Sequence, residues 1–246
     1  MLSLFTFHGS DVRAQLYVRN WESGSLNDTC SGNCPRVTSE IARHGQYSLK
    51  SSINRLISPN SFRTELTKPG FPGNFQYRTN YWIGFSTYLP EDWEVPHRFE
   101  LIAQIHAAPD PGERQRSPVL GIYTGSGRWK IQSRWEKGRA DWILDQRIID
   151  DVGRWVDWVI RYRPSWQDDG IMEVWKDGIK VASYLGPNTY EDNVGPYLKI
   201  GLYLNWRDRS CCQGTSPLKY IYHDELRIGI GPEFTYQDVA PDRVGR

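Results

Sequence analysis

The 246-residue chain carries 30 Lys and Arg against 29 Asp and Glu, a net charge of +1, so no global charge draws it to nucleic acid or to an anionic membrane surface. Its hydrophobic fraction of 39% is enough for a large core, and no apolar run approaches the ~20 residues of a membrane-spanning helix. Eleven Trp and fourteen Tyr suit strands, and such rings also form the platforms on which sugars stack.

Residues 1–15 read as a leader or signal remnant: the apolar start Leu2-Ser-Leu-Phe-Thr-Phe7 is short and lacks a basic beginning. Cys30-Ser-Gly-Asn-Cys34 can close a local disulfide, although with Cys211 and Cys212 three pairings are open. Asn27-Asp-Thr29 is a glycosylation sequon. These features lean towards a secreted or periplasmic protein.

Helical periodicity is nearly absent. Instead, β runs are separated by Gly, Pro, Asn and Asp. They are expected at 15–21, 47–54, 61–67, 77–89, 99–107 and 119–123, then at 128–135, 142–148, 155–162, 170–176, 179–184, 197–206 and 219–230. Thr124-Gly-Ser-Gly127 and Lys176-Asp-Gly-Ile179 supply hairpin turns, since Gly and Asp tolerate positive φ. With no linker or internal repeat, residues 16–246 form one all-β domain, an antiparallel two-sheet β-sandwich of jelly-roll type.

Three of these runs have an unusual polar face. In Tyr197-Leu-Lys-Ile-Gly-Leu-Tyr-Leu-Asn-Trp206, the apolar side is Leu198, Ile200, Leu202, Leu204 and Trp206. The other side is Tyr197, Lys199, Gly201, Tyr203 and Asn205, with Gly201 read as room for a ligand. In Phe99-Glu-Leu-Ile-Ala-Gln-Ile-His106, residues Phe99, Leu101, Ala103 and Ile105 form the core row, while Gln104 and His106 share the other face. In Ser61-Phe-Arg-Thr-Glu-Leu66, Arg63 and Glu65 share a face, either as a pair or with Glu65 orienting Arg63 as a ligand clamp. If the three faces share one concave sheet, they make a cationic, aromatic groove. Tyr81 or Trp82 would line it, and Arg114 and Arg116 of the 108–118 loop would meet an anionic chain. His44 and His97, in turn-like contexts, are surface residues.

That set fits β-elimination on a uronate polymer. Cleavage needs the C6 carboxylate neutralised, the C5 proton removed and the leaving O4 protonated. Arg, Gln, Asn and protonated His neutralise. A tyrosine can serve as base and then acid where neighbouring cations favour its phenolate, here Lys199, Arg63 and His106. No cofactor is required for this chemistry.

Arg63-Thr-Glu-Leu66, Gln104-Ile-His106 and Tyr197-Leu-Lys-Ile-Gly-Leu-Tyr203 resemble the signature strands of the jelly-roll polysaccharide lyases, as in family 7 alginate lyases. Tyr81-Trp-Ile-Gly-Phe-Ser-Thr-Tyr-Leu-Pro90, Gly153-Arg-Trp-Val-Asp-Trp158, Asp169-Gly-Ile-Met-Glu-Val-Trp-Lys-Asp-Gly178 and His223-Asp-Glu-Leu-Arg-Ile-Gly229 are similar to the heparin-lyase-like group that includes the family 20 glucuronan lyases. The resemblance implies a concanavalin-like sandwich acting as a monomer on an anionic polysaccharide. It implies Tyr203 as the catalytic phenol, His106 as base or neutraliser, and Gln104 and Arg63 on the carboxylate. Lys199, Asn205, Tyr197 and Glu65 would bind substrate. Asn205 replaces the Gln usual in alginate lyases and is shorter by one methylene, so β-1,4-glucuronan ranks ahead of mannuronate-type alginate. The resemblance also implies a structural calcium held by Glu22 and Asp224 at the sandwich edge. A retaining hydrolase would need paired carboxylates on one strand, and none is found. A non-catalytic carbohydrate-binding module is the reading from another class.

Overall fold

The computed structural model describes residues 14–54, 56–57, 61–71, 73–95, 100–204 and 218–241. Its strands are β1 (Gln15–Arg19), β2 (Thr29–Gly32), β3 (Arg36–Thr38), β4 (Ser48–Asn54), β5 (Arg63–Thr67), β6 (Tyr81–Tyr88), β7 (Glu100–His106) and β8 (Leu120–Gly125). They continue as β9 (Arg128–Trp135), β10 (Gly138–Arg147), β11 (Trp155–Arg163), β12 (Ile171–Lys176), β13 (Ile179–Leu185), β14 (Tyr197–Leu204) and β15 (Leu218–Ile230), followed by the one-turn helix α1 (Tyr236–Val239). Every expected run overlaps a strand. The short edge strands β2 and β3 were not expected, because neither has an apolar alternation to betray it.

All strand pairing is antiparallel, in two sheets. One has the order β13-β12-β11-β6-β15-β4-β3, with β1 pairing the far half of the thirteen-residue β15. The other runs β10-β9-β8-β7-β14-β5-β2. Turn chemistry makes the hairpins: Ser126 and Gly127 adopt φ of 51° and 75°, and Asp177 and Gly178 adopt 49° and 84°. Between the sheets lies one continuous core. Leu66, Ala103, Ile105, Leu198, Ile200, Leu202 and Leu204 from the second sheet meet Ile83, Phe85, Trp158, Ile160, Ile221 and Ile228 from the first. Each such buried side chain contributes roughly 1.5–3 kcal/mol of transfer free energy.

Two departures from simple pairing bear on the site, a register shift between Ile200 and Tyr203 where β14 meets β7 and a second where β7 meets β8. Ala103 faces Ile122 and Leu101 faces Tyr123, so β7 carries one residue more than β8 at Ile102, a β-bulge. Ile102 therefore joins the core cluster in place of Leu101, which correct alternation would have put there. Tyr81 and Trp82 do not line a groove: both lie on β6 in the other sheet, where Tyr81 is buried and Trp82 packs on Trp175, ring centroids 5.6 Å apart. Cys30 and Cys34 are joined as a disulfide, next to β5. Cys211, Cys212, Asn205, Trp206, His97 and Phe99 lie outside the described residues.

Candidate functional site

Strands β5, β14 and β7 are neighbours, so the three polar faces seen in the sequence come together on the side of the second sheet turned away from the core. Their register puts Tyr203 opposite Arg63 on one side and Leu101 on the other. Lys199 lies between Thr67 and Gln104, Tyr197 opposite His106, and Gly201 opposite Glu65.

Glu65 organises the centre. Its carboxylate is buried, with Oε1 accepting from Gln104 Nε2 and Oε2 lying 3.0 Å from Arg63 Nε. One acid thus holds both groups expected to meet a substrate carboxylate, an arrangement common to both Arg63–Glu65 alternatives. Burial raises the Glu65 pKa, while Arg63, Lys199 and the Gln104 hydrogen bond pull it down. Arg63 stays partly exposed and its Cζ lies 4.3 Å from the Tyr203 ring centroid, a cation–π contact that holds the guanidinium on the phenol. Gln104 still has a second amide hydrogen, and its buried Oε1 has no hydrogen-bond partner among the described residues.

His106 is fixed in one tautomer. Its Nδ1 lies 2.7 Å from the Ala107 carbonyl, which can only accept, so Nδ1 carries the proton and Nε2 keeps its lone pair in the neutral ring. Burial lowers its pKa from 6.5, and Lys199 and Arg63 lower it further against the Ala107 hydrogen bond. His106 is thereby neutral at neutral pH. The expectation that it adds positive charge is corrected: the cation on the Tyr203 ring is Arg63, and burial together with Lys199 and Arg63 keeps the imidazole uncharged. Lys199 is buried, which disfavours its ammonium; Glu65 favours the charge and Arg63 opposes it. Its Nζ lies 5.7 Å from the Tyr197 ring centroid, and that ring packs at 5.6 Å on the His106 ring.

Gly201 is not spare room for a ligand. Its φ is +149°, and a Cβ there would collide with Thr64 O and sit 2.6 Å from Glu65 Cα on β5. The glycine is needed for the close approach of two strands.

Sequence reasoning missed the far half of this face. On β8 to β10 it carries Tyr123, Lys130, Gln132, Arg134, Arg139 and Asp141, with Lys130 Nζ 5.0 Å from the Tyr123 ring centroid. The signal was available: in β9, Lys130, Gln132 and Arg134 alternate with the buried Trp129, Ile131 and Ser133. Arg116 is committed elsewhere, 2.7 Å from both Glu113 and Glu136 and 3.5 Å from Asp192, so it staples loops instead of facing the groove. His44 is half-buried, not a surface residue, and its backbone N–H donates to Asp224 in the other sheet.

The carboxylates of Glu22 and Asp224 bind backbone amides. The Glu22 carboxylate accepts the N–H groups of Gln46 and Tyr47, and Asp224 accepts those of Arg43, His44 and Glu225. Calcium takes six to eight oxygen ligands. No group of three or more His, Cys, Asp or Glu gathers among the described residues. The two acids instead clamp the 43–47 turn.

A family model described as polysaccharide lyase matches residues 16–227. No curated protein matches the sequence significantly. Among solved structures, the fold is similar to an endo-β-1,4-glucuronan lyase from the fungus Trichoderma reesei, with TM-score 0.70, 22% identity, and 97% of this chain and 96% of that one covered. It is also similar to the family 7 alginate lyase A1-II′, with TM-score 0.54, 13% identity and coverage of 79% and 84%. A third is alginate lyase PA1167 from Pseudomonas aeruginosa, with TM-score 0.51, 20% identity and coverage of 84% and 88%. At these identities the likenesses establish a shared two-sheet fold.

Proposed function

Because the chain belongs to the polysaccharide lyase family, we propose that it cleaves a uronate polymer by β-elimination, with β-1,4-glucuronan as the substrate. The reading is carried by one observation: Arg63, Gln104, His106 and Tyr203 converge on three adjacent strands, with Glu65 holding two of them in place. Arg63 and the free amide hydrogen of Gln104 neutralise the C6 carboxylate, which stabilises the enolate-like intermediate. In β-linked glucuronate, H5 and O4 lie on the same side of the ring. Tyr203 takes the C5 proton, the C4–O4 bond breaks as C4=C5 forms, and the same phenol returns the proton to O4. Neutral His106 offers the Nε2 lone pair as a second base and adds no charge to the neutralising set. These steps require no metal. The Cys30–Cys34 disulfide supports an exported enzyme.

Incubation with glucuronan, alginate and other uronate polymers is expected to produce a UV-absorbing unsaturated end, first with glucuronan. Tyr203→Phe should abolish this product while polymer still binds. Binding with no product over long incubation would make the protein a carbohydrate-binding module; a near-normal rate in Tyr203→Phe would remove Tyr203 from the mechanism.

A further inference from the structure

Beyond β7 the same face becomes basic. Lys130 is opposite Tyr123, and Tyr123 is opposite Leu101, so one cross-strand row runs Arg63, Tyr203, Leu101, Tyr123, Lys130. Beside it, Gln132 is opposite Asp141 and Arg134 opposite Arg139. Asp141 lies 3.9 Å from Lys130 Nζ and 3.2 Å from Arg139 Nε, and it accepts from Gln132 Nε2. Arg134 Nε donates 2.6 Å to Gln132 Oε1, an uncharged acceptor. Two cations therefore share one carboxylate while Arg134 beside them meets an uncharged amide oxygen, leaving surplus positive charge. Burial disfavours the Lys130 ammonium; Asp141 supports it, while Arg134 and Arg139 add to the penalty. An anion arriving here would relieve that repulsion.

We propose that Lys130, Arg134 and Arg139 form a second carboxylate-binding subsite, which takes a uronate unit of the polymer other than the one being cleaved. It rests on the reading of this face as a uronate groove. From Tyr203 on β14 to Lys130 on β9 is three strand spacings, about 14 Å, longer than one sugar ring. The floor between the clusters is low: Gly121 has no side chain, and the Tyr123 ring lies across the space its Cβ would take. A chain laid along the row meets Arg63 at one end and the second cluster at the other. Short substrates never reach β9.

The test compares wild type with Lys130→Gln/Arg134→Gln on long glucuronan and on a glucuronate trisaccharide. The double variant should raise KM for the polymer roughly ten-fold, the effect of losing charged hydrogen bonds. Its kcat on the polymer and its trisaccharide kinetics should match wild type. Lys130→Arg/Arg134→Lys, with both charges kept, should restore the polymer KM. Equal losses on both substrates, or an unchanged polymer KM, would overturn the subsite. Calorimetric titration of polymer into Tyr203→Phe, with and without the two Gln substitutions, separates this from the lyase reading. If wild type makes no unsaturated product but affinity still falls ten-fold, the reaction is wrong and the subsite stands. If affinity does not change, the subsite is wrong whatever the reaction.

Discussion

Glu65 shows what a single buried carboxylate does for its neighbours. Its charge is held by the Arg63 guanidinium and a Gln104 N–H, so Glu65→Gln keeps the volume and removes the ionic hold on both. Losing a charged hydrogen bond costs about 1.5–3 kcal/mol, and kcat/KM on glucuronan should fall roughly 10- to 100-fold, with little change in the thermal midpoint. His106 gives a prediction of pH dependence. Its folded pKa lies below 6.5, so the neutral base persists to lower pH than in a free imidazole. The limb that His106 contributes to kcat/KM should therefore lie below pH 6.5 and vanish in His106→Gln; a limb at or above that pH that is lost in His106→Gln would mean the imidazole is not shielded as described. The polar alternation of three runs was enough to place Arg63, Glu65, Gln104, His106, Lys199 and Tyr203 on one face. The charge state of His106 was not legible, because Arg63 and Lys199 reach it from other strands.

At the level of elements, Asp-Gly and Gly-Ser-Gly turns and two-residue periodicity were sufficient to locate thirteen strands. They could not reveal β2 and β3, which are defined by edge pairing. Nor could they show that Gly201 exists for β5: the approach of Thr64 and Glu65 is a tertiary fact. Gly201→Ala should cost about 1–3 kcal/mol from the forced positive φ alone, read as a lower urea midpoint. A second element depends on a buried acid. Asp151, in the turn before β11, accepts from Trp129 Nε1 at 2.6 Å and Gln146 Nε2 at 2.9 Å and pairs with Lys176 and Arg154. Asp151→Ala would remove one of the two carboxylates 3.0 Å from buried Lys176, Asp177 being the other, and strip Trp129 Nε1 of its acceptor, so it should destabilise by about 1–3 kcal/mol. Because this network lies away from the groove face, kcat/KM per folded molecule should be unchanged.

For the whole molecule, stability should vary with pH through Asp224, buried in the first sheet. Burial and the neighbouring Glu225 raise its pKa to about 7, against the pull of the Arg43, His44 and Glu225 amides. Between its usual range and pH 7 the folded protein holds the proton and the unfolded chain does not. Unfolding free energy should therefore decline as pH rises through that window, by up to about 1.4 kcal/mol per pH unit. Asp224→Asn should flatten that part of the curve in denaturant titrations at pH 4, 5.5 and 7. The sandwich itself was legible because both sheets alternate faithfully nearly everywhere. Among the register shifts, the one at Ile102 bears on the site. The surplus residue lets Leu101 look outward beside Tyr203 while Glu100 turns inward to meet Lys219 of the other sheet at 2.6 Å. Strand β7 therefore runs in two phases, and Ile102 is the residue that changes one into the other. Straightening the strand at constant length would return Leu101 to the core and take Glu100 from Lys219, whereas deleting Ile102 would keep both faces and lose only the core contacts of that side chain.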